Sequence, residues 1–155
     1  MLQRIQSVYL LLASLVIFAL FLFPLVHNVY VEGVASTIKV TGIYQDVNGQ
    51  QAHTQSFIAL IAATAIVAIL PIILVFLYKN RKQQMALCYG YIFVIFGYSF
   101  WIAQTVKSAT GGADLTTNNF GIGALLSSVS IVLVIFAAKA IQRDEKLVKS
   151  ADRLR

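Results

Sequence analysis

Charge is what this sequence has least of. Asp, Glu, Lys and Arg supply only 12% of its 155 residues, where a soluble domain carries about 25%. Hydrophobic residues supply 59% and the mean hydropathy is +0.79. A water-soluble core has no room for four separate apolar runs of roughly 20 residues, so the composition excludes an ordinary soluble domain. Cysteine is nearly absent too. Cys88 stands alone inside an apolar run, which excludes an internal disulfide, a CxxC redox pair and a structural zinc site. The four-helix membrane thiol oxidoreductases go with them, and Cys88 reads as a small apolar packing residue. Between their ends the apolar runs hold no Asp, Glu, His, Lys or Arg, the usual carriers of transport and proton relay. There is no HExxH, no GxSxG and no P-loop, so the common hydrolase and nucleotide signatures are missing.

What the chain does have is long apolar runs and well-placed cations. The runs cover residues 8–26, 57–78, 85–106 and 120–138. Lys79-Asn80-Arg81-Lys82 lies between the second and third, and such a cluster marks a cytoplasmic connector. With that connector inside, Arg4, Lys79, Arg81, Lys82, Lys139, Arg143, Lys146, Lys149, Arg153 and Arg155 all fall inside, and only Lys39 and Lys107 fall outside. The first run is too long for a signal-peptide core, and no small-x-small cleavage site follows it. It reads as an uncleaved span. The net charge of +6 sits beside the apolar runs, where Lys and Arg meet anionic lipid headgroups rather than nucleic acid.

The expected fold is one all-α membrane domain over residues 1–155. It is a four-transmembrane-helix bundle with both termini cytoplasmic and a small antiparallel β element in the first outer loop. That loop, 27–55, alternates: Tyr30, Val34, Ile38, Val40 and Tyr44 on one face, Lys39 and Thr41 on the other. Asn48-Gly49 suits a type I′ hairpin turn. Pro71, well inside the second span, predicts a kink near Val67. Gly90 and Gly97, seven apart, predict a face that admits a neighbouring helix. Gly123, Ser127 and Ser130 predict a second small-residue contact stripe. Trp101 marks an outer interface and Gly111-Gly112 a flexible turn. The tail, 139–155, has the spacing of a cytoplasmic amphipathic helix, with Glu145 and Lys149 as a favourable i, i+4 pair.

Three segments also resemble a known family. Met1-Leu2-Gln3-Arg4-Ile5-Gln6-Ser7, the Lys79-Asn80-Arg81-Lys82 loop and the tail from Lys139 to the ending Ser150-Ala151-Asp152-Arg153-Leu154-Arg155 resemble the domain of unknown function 4293 family, four-span membrane proteins of the Bacteroidota. The resemblance covers essentially the whole chain. It implies a bacterial inner-membrane location and brings no catalytic residues. The plan is also similar in outline to the claudin-like one, by fold analogy only, because the paired cysteines of the claudin first loop are missing.

Two functional readings follow. The first is a non-enzymatic subunit or scaffold, packed by small-residue faces, self-associating or with another membrane protein, its tail docking a partner. Lys79, Arg81, Lys82, Arg143, Lys146, Lys149, Asp152 and Arg153 are the candidate contacts to that partner or to lipid headgroups. The second is a small transporter or lipid- or ligand-handling protein, with a cavity beneath the β element near Pro71, Tyr98 and Trp101. His27, His53 and Asp46 are the residue types of a metal site, but the bland alternative, solvated interfacial histidines, is preferred. No cofactor, metal or enzymatic activity is expected.

Overall fold

The computed structural model describes residues 3–31, 33–47, 50–78, 80–112 and 115–152. Helix α1 (Gln3–Phe18) runs into a 3-10 turn, Ala19–Phe21. Four strands follow: β1 (Val26–Val31), β2 (Val34–Lys39), β3 (Gly42–Val47) and β4 (Gln50–Ser56). Helices α2 (Ile58–Phe76), α3 (Arg81–Ala109) and α4 (Ile122–Asp152) complete the chain. The helices form a ring: α1 and α3 each pack against both α2 and α4. Helices α2, α3 and α4 are long and apolar enough to cross a membrane, whereas α1 is a shorter apolar helix.

The first helix departs from expectation. It starts at Gln3 and its 3-10 turn ends at Phe21, short of residue 26. Pro24 has no N–H and pushes the residue before it out of the helical region. The chain beyond it is extended instead: Leu25 N–H donates to Ile38 at 2.9 Å, and Val26 pairs with both Ile38 and Phe120.

Each helix turns one seam to the interior. On α3 the buried residues are Gln84, Cys88, Tyr91, Ile95, Tyr98, Ile102 and Val106, and from Gln84 to Ile102 they alternate four- and three-residue intervals, the spacing of a coiled-coil seam. The other aromatics of α3, among them Phe93, Phe96 and Phe100, face outward. Seam polarity is met by cross-helix hydrogen bonds. Pro71 sits inside α2 and has no N–H to give the carbonyl of Val67. The Tyr91 hydroxyl donates to that carbonyl at 2.9 Å. Ser14 of α1 donates to the next one, Ala68, at 2.6 Å, and Ser130 of α4 donates to Ala13 at 3.2 Å. One level away, Thr64 and Tyr98 share a hydrogen bond of 2.6 Å.

The outer loop is a four-stranded antiparallel meander, β1-β2-β3-β4. The expected single alternating run from Tyr30 to Tyr44 is divided among three strands. The chain turns between Val31 and Val34, which pair with each other, and a two-residue turn joins Lys39 to Gly42. Gly33, at φ +83°, takes the left-handed conformation the first turn requires. The expected hairpin residues Asn48-Gly49 lie outside the described residues, but β3 and β4 pair up to Val47 and Gln50 on either side of them. The sheet is pinned to α4. A bulge in β1 leaves the Asn28 carbonyl free of the ladder, and the Asn119 side chain donates to it at 2.9 Å.

Tyr91→Phe leaves the Val67 carbonyl unpaired in an apolar interior and is expected to cost about 1 kcal/mol. In a Pro71→Ala background the restored N–H takes over the carbonyl, so the same change should cost less than half as much. Reversible unfolding of the four proteins in detergent measures this double-mutant cycle. Equal costs in both backgrounds would remove the assignment.

Candidate functional site

In an apolar chain the informative places are buried polar atoms and gaps between helices. The interior has two buried amides near the end where α1 and α3 begin and α2 finishes. Gln84 donates to the Leu74 carbonyl at 2.8 Å, but its side-chain oxygen has no partner. Gln6 is 1% exposed, and neither polar atom of its side chain has a partner. Such unpaired atoms cost stability, because they lose water without gaining a bond.

Among the described residues, two of the grooves lie between neighbouring helices. The larger, about 570 Å³, lies between α3 and the start of α4, beneath the turn at 110–112 and the entry to β1. Its walls include Phe96, Ile102, Val106, Phe120 and Ile131, and Lys107 also lines it. From the β element it takes only Val26, with Leu25 just before it. Its place in the ring differs from the expectation, because Pro71, Tyr98 and Trp101 are not among its lining residues. The smaller groove, about 330 Å³, lies between α1 and α4, where Tyr9 and Phe136 stack at 5.9 Å and Lys139, Arg143 and the buried Asp144 stand.

The predicted basic residues separate on inspection. Arg81 and Lys82 form the first turn of α3 rather than a loop. Arg143 lines the smaller groove and Lys146 is exposed. Lys79 and Arg153 lie outside the described residues, as do the side chains of Lys149 and Asp152. The small residues separate too. Gly90 and Gly97 are exposed, and among the described residues a Cβ at either would meet nothing within 4 Å. Gly123 admits backbone rather than a helix face. Its N–H donates to the Pro24 carbonyl at 2.9 Å and that of Gly121 to Leu25 at 2.9 Å, an approach that a Cβ at either glycine would block. Ser127 lines the larger groove, and Ser130 donates to the Ala13 carbonyl of α1.

His27 and His53 do not converge. They stand on β1 and β4, the two edges of the sheet, roughly 14 Å apart for three strand spacings. His53 instead packs on Tyr44 at 4.8 Å. Among the described residues no group of three or more His, Cys, Asp or Glu could hold a metal ion.

The hydropathy reading missed Gln6, Ser14, Thr64, Gln84 and Asp144 as interior residues. The available signal was the rarity of polar side chains in apolar runs together with their spacing. Gln84, Tyr91 and Tyr98 are seven apart.

The family model described as Domain of unknown function (DUF4293) matches residues 2–154. No curated protein and no solved structure matches the chain.

Two stability predictions follow from these placements. Gly123→Ala should lower the melting temperature markedly, because the Pro24 carbonyl must move, whereas Gly90→Ala should be neutral or stabilising by up to about 1 kcal/mol. Gln6→Leu should stabilise by about 1–3 kcal/mol through removal of unpaired buried atoms. Thermal unfolding in a single detergent checks all three. A Gly90→Ala protein less stable than Gly123→Ala would overturn the placement of both glycines.

Proposed function

The chain belongs to the DUF4293 family, and we infer that its role is that of a non-enzymatic subunit or scaffold of a bacterial inner-membrane complex, docking a partner through the end of α4. The observation that carries this is the length of α4. Its 31 residues extend about 46 Å, against a hydrocarbon core of about 30 Å, so its last turns project beyond the bilayer. There Leu147 is 48% and Val148 45% exposed, beside the exposed Lys146. Exposed apolar residues on a projecting, charged helix suit a protein surface.

All four helices cross in this reading. Helix α1 and its 3-10 turn together extend about 30 Å, and α1 exposes Val8, Leu11, Leu12 and Leu15 to what would be lipid. An even number of crossings places both termini on one side. The ten-to-two distribution of Lys and Arg makes that side cytoplasmic. A second reading, lipid or ligand handling, is favoured by the larger groove, whose volume is within the usual range for small-molecule pockets.

Two measurements test the first reading. In a Cys88→Ser background, Thr54→Cys should react with a membrane-impermeant maleimide in intact spheroplasts. Ser150→Cys should react only after permeabilisation. The reverse pattern would invert the topology. For docking, natively expressed tagged protein should co-purify with a stoichiometric partner that Leu147→Asp/Val148→Asp loses. Recovery of the same partner from both proteins would end the docking assignment.

A further inference from the structure

The larger groove exists because its two walls are tied to different neighbours. In this half of the ring α3 is bonded to α2, through Tyr98 and Thr64. The first turn of α4 is bonded to the 24–26 segment, through Gly121 and Gly123. Among the residues of α3 and α4 that line the gap, several are small: Ser99 and Ala103 on one side, Ala124, Ser127 and Ser128 on the other. They leave the gap unfilled, and a gap in a close-packed molecule forfeits dispersion contacts unless something occupies it.

The walls say what kind of occupant. Two of the hydroxyls are already engaged with their own helix: Ser99 donates to Ile95 at 2.8 Å and Thr110 to Lys107 at 3.1 Å. The remaining surface is largely aliphatic and aromatic, which does not hold water well. An alkyl chain satisfies it. The groove also has a direction. From Lys107 to Phe96, both lining it, is eleven residues of α3, or about 16 Å. That is close to the depth of one leaflet, about half of a 30 Å hydrocarbon core. Lys107, exposed in the last turn of α3, stands at the interfacial end. Phe96 and Ile131 stand at the deep end.

We propose that the α3–α4 groove is a binding site for one glycerophospholipid of the outer leaflet, its acyl chain between the helices and its phosphodiester against Lys107. Among the described lining residues Lys107 is the one with a charge, and it is complementary to the phosphate common to all glycerophospholipids. The assignment rests on the ligand-handling reading above and gives it a ligand class.

The test uses the full chain in mild detergent, loaded from mixed micelles of that detergent with phosphatidylglycerol or, separately, with diacylglycerol. Native mass spectrometry counts the lipid retained. The wild type should hold one phosphatidylglycerol. Ala103→Leu/Ala124→Leu, which fills the gap, should lower its occupancy about tenfold. Lys107→Gln should lower it about fivefold and leave diacylglycerol retention unchanged. Ser128→Leu, at an exposed position on α4, is a second filling variant in case the double one fails to fold. Equal occupancy in the wild type and a folded filling variant would mean annular lipid only, and would overturn both the site and the ligand-handling reading. Loss on filling with no effect of Lys107→Gln would overturn the phosphodiester assignment and leave the ligand-handling reading standing.

Discussion

The hydrogen bond from the Tyr91 hydroxyl to the Val67 carbonyl is the interaction around which the helices are arranged. Pro71 makes it necessary. In hydrocarbon no water can satisfy the carbonyl that a proline strands, so another helix must do it. That requirement fixes the rotation of α3 about its own axis, and with Tyr91 turned inward, Tyr98 and Gln84 follow at seven-residue intervals. Ser130 of α4 lies beside the same hydroxyl and reaches Ala13 of α1. One polar level thus touches all four helices.

The other end is held by backbone rather than side chains. The 24–26 segment crosses the start of α4 at a distance only glycine permits, at Gly121 and Gly123. Asn119 then fastens the bulge of β1. The sheet is therefore part of the frame, because it sets where α4 begins. Its attachment draws the start of α4 into contact with the 24–26 segment, and small residues leave the space between α3 and α4 open.

Helix α4 links the features with functional content. It lines both grooves, closes the polar level through Ser130 and leaves Leu147 and Val148 exposed near its end. The absence of charge between the ends of the apolar runs leaves the ion pathways and proton relays of many transporters without their usual carriers. What is present instead is a set of helices apolar enough to cross a membrane, a groove between α3 and α4 and a long terminal helix.

Composition and run length alone determined the apolar segments, the β-rich loop between the first two, the turn at Gly111-Gly112 and a helical tail. These are local or additive properties, and hydropathy sums them without reference to contacts. Only the tertiary structure decided which face of each helix packs. Lipid and protein interior are equally apolar, so the runs show no amphipathic contrast, and Gly90 and Gly97 looked as suitable for packing as Ser130. It also decided that β1 and β4 are opposite edges, which separates His27 from His53, and that the first helix stops short of Pro24, whose carbonyl meets Gly123 instead. Those outcomes depend on partners distant in sequence, Pro24 with Gly123 and Val67 with Tyr91, and one-dimensional patterning does not encode such pairs.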